Sequence, residues 1–232
     1  MNQENKEYRD SNLFYGLDGK NLINPFDSEK PLFKPKIRLG ILASGNGSNF
    51  EYIVKSIQDR QLNAEILILI VNNPNCLAIK KAIKYEIPYL IINHRECKSR
   101  LDHDKLVMNK LEEFSVELVV MAGWMRIVGE ELINKFKNRL INIHPSLLPS
   151  FKGIDAIQQA LDIKVKITGC TVHYVQKEVD SGSIIIQAAV PLKQTDSLDT
   201  LKKRIQDMEH IILPIAIAKA ANTIRTKLKG KK

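Results

Sequence analysis

From Ile37 onward, apolar runs of strand length alternate with longer amphipathic stretches. The runs IRLGILA, EILILIV, PYLII and ELVVMAG are separated by amphipathic stretches at about 49–59, 75–85 and 100–114, a repeated strand–helix pattern. Residues 66–71 are apolar at every position, as expected for parallel strands that helices cover on both faces. The pattern therefore predicts an α/β fold with a doubly wound, mostly parallel central sheet and helices on both faces.

The second half of the chain continues this pattern with the run LINI, a loop punctuated by prolines and a short helix near 154–161. Two strands are predicted at 167–175 and 183–191. A long helix follows from Ser197 to about Ala221, with Ser197 as its N-cap. The sequence contains no internal repeat.

The two ends of the chain differ from this middle part. Residues 1–36 contain three prolines and scattered apolar residues without a helix or strand period. They are interpreted as an N-terminal extension that is solvated or packs on the body or on a second subunit. The predicted domain covers residues 37–222, and residues 223–232 are predicted to form a basic C-terminal tail.

Composition narrows the class of protein. A chain of 232 residues with 44% hydrophobic residues suits one globular domain. Its apolar runs are far shorter than the roughly 20 residues that a membrane span needs, and its polar start has no secretory pattern. We therefore expect a cytoplasmic protein with no membrane partner. Three cysteines without a CxxC pair predict neither a disulfide scaffold nor a metal site.

The net charge of +9 suggests nucleic acid as a partner at first sight. However, 6 of the 35 basic residues lie between 219 and 232, where there is no acid, so the remaining chain has 29 basic against 26 acidic residues. Basicity confined to one end favours a solvated helix end and tail over a surface that follows phosphates. We predict no nucleic-acid partner.

The first strand runs into the loop Ser-Gly-Asn-Gly-Ser-Asn at 44–49, which precedes a helix. Ligands of open α/β sheets bind at such carboxyl ends of strands. Two glycines let backbone N–H groups turn inward beside a helix N-terminus, so the loop suits an anion such as a phosphate. It lacks the lysine of a Walker loop and the third glycine of the dinucleotide fingerprint. A tight turn in which Ser48 or Asn49 caps the helix is the alternative.

The run LINI ends in the sequence Asn142-Ile143-His144-Pro145-Ser146. In a strand, residues two apart point to the same face, so Asn142 and His144 can converge on one spot. An amide and an imidazole are suited to donate hydrogen bonds to an oxygen that gains negative charge in acyl transfer. The alternative is a histidine that is merely hydrogen-bonded at a strand end.

Asp180 lies in the turn sequence VDSG between the last two predicted strands. It is either an ordinary turn acid or a carboxylate that raises the basicity of His144 and moves protons. Periodicity leaves open whether the fold brings this turn to His144. Cys170 and His173 are three residues apart, so they fall on opposite faces of a strand and do not predict a metal site.

Four segments together resemble the phosphoribosylglycinamide formyltransferases, the folate-dependent enzymes of purine biosynthesis: SGNGSN, AGWMRI, NIHPSLLP and VDSGSIIIQ. The resemblance extends over about 37–221. It implies transfer of the formyl group from 10-formyltetrahydrofolate, as cosubstrate, to the amine of glycinamide ribonucleotide. It leaves a monomer and a homodimer equally open.

Residue roles are carried over from this resemblance. Asn142 and His144 would stabilise the oxyanion, and Asp180 would pair with His144. The phosphate and ribonucleotide of the acceptor would be bound by Gly45, Asn46, Gly47, Ser48, Asn49, Gln206 and Glu209. The folate would be bound by Arg100, Met125, Arg126, Ile127, Val128 and Asn142.

Three rival functions would each predict a different sequence. A formyltetrahydrofolate deformylase, which gives the formyl group to water, would resemble His-His-Ser where this chain has Pro145 after His144, and would carry a regulatory domain before it. A methionyl-tRNA formyltransferase would be expected to have a further C-terminal domain. A binding protein on the same scaffold would not need the full set of Asn142, His144 and Asp180.

Overall fold

The computed structural model describes residues 14–15, 22–24 and 34–229 of the chain. Within these ranges the elements, in chain order, are β1 (Phe14–Tyr15), β2 (Leu22–Asn24), β3 (Ile37–Ala43), α1 (Ser48–Gln58), β4 (Ala64–Val71), α2 (Leu77–Lys84), β5 (Tyr89–Ile91), α3 (Arg100–Glu113), β6 (Leu118–Met121), α4 (Glu130–Lys135), β7 (Leu140–His144), α5 (Ala156–Ile163), β8 (Ile167–Tyr174), β9 (Ile184–Pro191) and α6 (Leu198–Lys229).

All the strands belong to one sheet with the order β1-β2-β9-β8-β7-β6-β3-β4-β5. The five strands from β7 to β5 in this order are parallel. The pairs β7–β8, β8–β9, β9–β2 and β2–β1 are antiparallel. The predicted doubly wound α/β fold is confirmed, with its parallel part in the centre and an antiparallel extension on one side.

Two apolar layers cover the faces of this sheet. Along β4, Leu69 and Val71 pack in the layer that includes α1, α2 and α6, whereas Ile68 and Ile70 pack in the layer that includes α3 and α4. Burial on both faces explains why this strand is apolar at every position rather than alternating. The short helix α4 was not predicted, because six residues carry too little periodicity.

The strand order reverses at β3, from which the chain moves first to β4 and β5 and later to β6 and β7. The loops after β3 and β6 leave the sheet at this point, where open α/β sheets form a ligand crevice. Two hydrogen bonds join the loops: the Ser44 N–H donates to the Gly123 carbonyl at 3.0 Å, and the Met125 N–H donates to Ser44 Oγ at 2.8 Å.

Part of the predicted N-terminal extension adds strands to the sheet. Residues of β2 pair with β9, and β1 pairs with β2. Ile23 is buried in the same apolar layer as Ala188 of β9, so this part of the extension packs on the body, which its sequence left open. Residues 1–13, 16–21 and 25–33 of the extension lie outside the described residues.

The last helix is longer than predicted. Its predicted N-cap is confirmed, because the Thr200 N–H donates to Ser197 Oγ at 3.3 Å. The predicted end at Ala221 was wrong, since α6 continues to Lys229 and crosses the proposed tail boundary. Among the described residues, no helix combines the length and the apolarity that crossing a bilayer requires.

A partly buried ion pair holds the continuation of α6 against the body. The Arg225 guanidinium donates to both carboxylate oxygens of Glu117, at 2.7 and 2.8 Å, and to the carbonyl of Lys36 at 2.9 Å. The hydrogen bond from Arg225 lowers the pKa of Glu117, although partial burial opposes this. One of the six basic residues assigned to a solvated end is therefore a structural cation that joins α6 to the starts of β3 and β6.

We predict that Arg225→Met lowers the free energy of unfolding by about 2 kcal/mol, because it removes two charged hydrogen bonds to a partly buried carboxylate. Glu117 then keeps Arg38 as its ionic partner. Lys227→Met, on an exposed turn of the same helix, is the matched control and should change stability by less than about 0.5 kcal/mol. Urea denaturation at pH 7 measures both.

The pKa of Glu117 is lowered, so its contribution is present above the ordinary glutamate pKa of 4.5 and is lost as the pH falls through the lowered value. The difference between wild type and Arg225→Met should therefore shrink in acid. If wild type and Arg225→Met were equally stable at pH 7, the Arg225–Glu117 ion pair would have no structural role.

Candidate active site

The loop at 44–49 is held by close packing rather than by a side-chain cap. Gly47 is the N-cap of α1, has φ 69° in the left-handed region, and makes no side-chain cap. A Cβ on Gly47 would lie 2.7 Å from the Cβ of Ala78, whose N–H donates to the Gly45 carbonyl at 3.1 Å. The alternative in which Ser48 or Asn49 caps the helix is therefore wrong, and a glycine is required where α2 approaches.

Helix α6 contributes two of the predicted residues to this loop. Gln206 Nε2 donates to Ser48 Oγ at 3.0 Å, and Asn49 Nδ2 donates to Glu209 Oε2 at 2.8 Å. The other amide atom, Asn49 Oδ1, is buried without a partner among the described residues. These contacts bring together residues that are about 160 positions apart in the chain.

Glu209 is only 8% exposed. Burial raises its pKa to about 7, against the opposing effect of the hydrogen bond from Asn49. A carboxyl group with this pKa exchanges its proton near neutral pH, the range in which a general acid or base is most effective.

Asn142 and His144 lie at the carboxyl end of β7 on the face predicted for them, while Ile141 and Ile143 pack in the core. Asp180 is brought to this face: its Oδ2 is 3.3 Å from His144 Nδ1. His144 Nε2 is 2.8 Å from the Phe151 carbonyl. Each ring nitrogen thus has an oxygen within reach, so the two contacts fix the orientation of the ring.

The turn that carries Asp180 is folded over the sheet edge by backbone contacts. The Tyr174 N–H donates to the Ser183 carbonyl at 2.9 Å, and a Cβ on Gly182 would overlap the Tyr174 carbonyl, so only glycine fits there. Asp180 itself has φ 48°, a conformation that aspartate tolerates better than most residues.

Several groups stabilise the charged form of Asp180. Burial raises its pKa, but hydrogen bonds from His173 and from the Gly153 N–H, together with the nearby His144 ring, bring the pKa below its usual value. The Gly153 N–H donates to Oδ2 at 2.9 Å. Asp180 is therefore an anion at neutral pH, held beside an imidazole.

His173 is a member of the site that the sequence argument missed. It is the cross-strand partner of Asn142, and its Nε2 lies 3.3 Å from Asn142 Nδ2 and 3.5 Å from Asp180 Oδ1. Cys170 is buried in the core on the other face, as predicted. The available signal was the two-residue spacing of Thr171 and His173 in β8, which puts both on one face of the strand. That this face is the one with Asn142 depends on the strand order.

A cleft of about 420 Å³ opens beside this cluster. Of the predicted site residues, its walls include Met125, Arg126, Ile127, Val128, Asn142, His144 and Asp180. Met125 and Ile127 are 79% and 55% exposed, so apolar side chains point into a partly open cleft. The structure does not bring Arg100 into the cleft wall: it is exposed at the first turn of α3.

The glycine loop at 44–49 lies outside the cleft wall but is joined to it through Ser44. Gly45, Asn46, Gly47, Ser48, Asn49, Gln206 and Glu209 are absent from the residues that line the cleft, whereas Ser44 bonds to Gly123 and Met125 at its rim. The site therefore has two neighbouring parts, one beside β3 and one beside β7. Within the described residues, no group of three His, Cys, Asp or Glu side chains could hold a metal ion.

Residues 37–217 match the formyl transferase family. The chain belongs to this family. It is 37% identical to the phosphoribosylglycinamide formyltransferase of Bacillus subtilis over 180 residues, which cover 78% of this chain and 92% of that one. It is 41% identical over 216 residues to the human trifunctional purine biosynthetic protein adenosine-3, which covers 93% of this chain but 21% of that protein. The chain thus spans about a fifth of this relative.

Solved structures agree with this assignment. Glycinamide ribonucleotide transformylase 1 from Symbiobacterium toebii superposes with a TM-score of 0.80 at 37% identity, covering 81% of this chain and 89% of that one. Phosphoribosylglycinamide formyltransferase from Bacillus halodurans gives 0.76 at 38% identity, with 81% and 95% covered. The fold and the family inferred from the four sequence segments are both confirmed.

The raised pKa of Glu209 leads to a stability prediction. Between the ordinary glutamate pKa of 4.5 and about 7, the folded chain holds a proton that the unfolded chain releases, so stability falls as the pH rises through this range. We expect wild type to lose about 3 kcal/mol relative to Glu209→Gln between pH 4.5 and pH 8.

Urea denaturation across this pH range measures the effect. Glu65→Gln, a substitution of an exposed acid at the start of β4, is the matched control and should follow wild type at every pH. Parallel pH profiles of wild type and Glu209→Gln would contradict the raised pKa.

Proposed function

We propose that this chain transfers the formyl group of 10-formyltetrahydrofolate to the amine of glycinamide ribonucleotide, a step of purine biosynthesis. The observation that carries the proposal is the cluster of Asn142, His144 and Asp180 on a cleft next to the glycine loop at 44–49. Membership in the formyl transferase family supports the reaction class. The extensive match to a relative named phosphoribosylglycinamide formyltransferase supports the acceptor.

The reaction needs a hydrogen-bond donor to the formyl oxygen. As the acceptor amine attacks the formyl carbon, its oxygen becomes negative, and His144 Nε2–H and the Asn142 amide stabilise it. His144 supplies this hydrogen by exchanging the Phe151 carbonyl, its present partner, for the formyl oxygen. The anionic Asp180, 3.3 Å from Nδ1, orients the ring.

The same cluster transfers the proton that the amine loses. Collapse of the tetrahedral intermediate breaks the bond between the formyl carbon and N10, and N10 gains a proton. Because the pKa of Asp180 is lowered, this carboxylate passes a proton on rather than retaining it. Two bound substrates replace a bimolecular encounter, which supplies much of the remaining rate.

The two parts of the site suit the two substrates. The apolar side chains of Met125, Ile127 and Val128 offer surface to a flat pterin ring. On the other side, backbone N–H groups of residues 45–49 at the start of α1 suit a phosphate, with Gln206 as a neutral contact and Glu209 beside the amine. Arg100 remains a proposed contact for the glutamate tail of the folate.

A deformylase is the second candidate, and a specific feature disfavours it. Water as acceptor needs neither the glycine loop at 44–49 nor the contacts that shape a second subsite. These are the buried Asn49–Glu209 and the partly buried Ser48–Gln206 hydrogen bonds. We further propose a cytoplasmic protein, a monomer or homodimer, that uses no metal and binds no nucleic acid.

The first test is an assay of formyl transfer from 10-formyltetrahydrofolate, followed by absorbance of the folate product, with and without glycinamide ribonucleotide. We expect turnover only when the ribonucleotide is present. Equal turnover in water alone would identify a deformylase and reject the acceptor subsite.

The second test addresses the cluster. His144→Ala and Asp180→Asn should each fold normally and lower kcat by about 10²-fold, the effect of removing an oxyanion donor or its support. Asp162→Asn, a substitution of an exposed acid on α5, is the control and should retain wild-type kcat. Wild-type kcat in purified His144→Ala would reject its assigned role.

A further inference from the structure

Two adjacent polar residues on α3, His103 and Asp104, are buried although neither has a part in the proposed reaction. The side chains of His103 and Asp104 are 0% and 4% exposed, although much of α3 is solvated. An ionised carboxylate in the interior is unfavourable unless it is paired and hydrogen-bonded. The contacts of this pair therefore indicate what it does.

Asp104 holds the end of the loop that lines the cleft. Its Oδ2 accepts a hydrogen bond from the Gly129 N–H at 2.6 Å, at the residue where this loop passes into α4. A Cβ on Gly129 would lie 3.0 Å from the same oxygen, so the backbone approaches the carboxylate closely. Asp104 Oδ1 is 3.5 Å from His103 Nδ1.

His103 contacts the beginning of the same loop. Its ring packs against Trp124, with ring centroids 5.8 Å apart and planes inclined by 28°. On its other side, Nε2 is 3.1 Å from the Ile92 carbonyl. The pair thus connects both ends of the segment 124–129 to the core, whereas Met125 and Ile127 between these ends are mostly exposed.

A loop whose central side chains are exposed has little packing of its own to select one conformation. Its shape then depends on contacts at its ends. Trp124 and Val128 are buried in the apolar layer that includes α3 and α4, and the Met125 N–H donates to Ser44 Oγ. Helix α3 adds the ring contact of His103 with Trp124 and the short hydrogen bond from the Gly129 N–H to Asp104. Removing a charged hydrogen-bond partner that is buried has a large effect on the group left behind.

We propose that Asp104, with His103, is a positioning residue that fixes the cleft-lining loop 124–129 for the folate ring. The identity of the ligand rests on the proposed function, whereas the anchoring of the loop does not. Neither residue lines the cleft. The inference therefore predicts a change in folate binding without loss of the chemical step.

The kinetic test compares Asp104→Ala and Asp104→Asn with wild type. We expect Asp104→Ala to raise KM for 10-formyltetrahydrofolate by about tenfold, the loss of one charged hydrogen bond, with kcat and KM for glycinamide ribonucleotide within about twofold. Asp104→Asn keeps an acceptor oxygen for the Gly129 N–H, so it should restore most of the folate KM. Glu113→Ala, at the exposed end of α3, is the control.

A second readout needs no substrate. Trp124 is the only tryptophan of the chain and lies in the loop itself, so its fluorescence reports on the anchor directly. We expect the emission of Asp104→Ala to shift to the red and acrylamide quenching to increase at least twofold, with Glu113→Ala unchanged. If Asp104→Ala does not fold, Gly129→Ala disturbs the same contact from the loop side and should act in the same direction.

The two readouts separate the inference from the function on which it rests. Unchanged Trp124 fluorescence, or changed fluorescence with an unchanged folate KM in an active enzyme, overturns the positioning role. A wild-type protein without formyl transfer overturns the proposed function, while the fluorescence still decides whether Asp104 anchors the loop. An equal rise in KM for both substrates would also overturn a role confined to the folate side.

Discussion

The register of the parallel strands β3, β6 and β7 decides where each strand ends and its loop begins. The site depends on that register. Met121 is opposite Asn142, and Asn142 is opposite His173 across the antiparallel pair that follows. A slip of one residue in β7 would turn Asn142 and His144 into the core. The apolar layers on both faces oppose such a slip, because Ile141 and Ile143 would then face the cleft.

Two carboxyl groups of the site have environments that move their pKa values in opposite directions. Asp180 accepts hydrogen bonds beside two imidazoles and stays ionised. Glu209, on α6 and buried where this helix meets α1, accepts a hydrogen bond from Asn49 and has a pKa of about 7. Such a separation is typical of sites in which one carboxylate stabilises charge and another exchanges a proton. The division matches the two parts of the site, one beside β7 and one beside β3.

Much of the site followed from local pattern, and the exceptions have physical causes. Asn142 and His144 share a face because strands have a period of two, and the loop at 44–49 follows from its glycines and its place after β3. His173 was missed because cross-strand partners depend on sheet order, which periodicity does not contain. The continuation of α6 was missed because it rests on Arg225 meeting Glu117, 108 positions earlier in the chain.

By itself, the sequence determined the class of fold, the order of most strands and helices between residues 37 and 221, and the Asn142, His144 and Asp180 side chains as candidates for acyl-transfer chemistry. These properties depend on hydrophobic period and on residues close in the chain. Only the tertiary structure decided that the Asp180 turn reaches His144, that α6 brings Gln206 and Glu209 to the glycine loop, and that Asp104 anchors the cleft. Each of these contacts joins segments distant in sequence, and their geometry is set by packing between elements rather than by either segment alone.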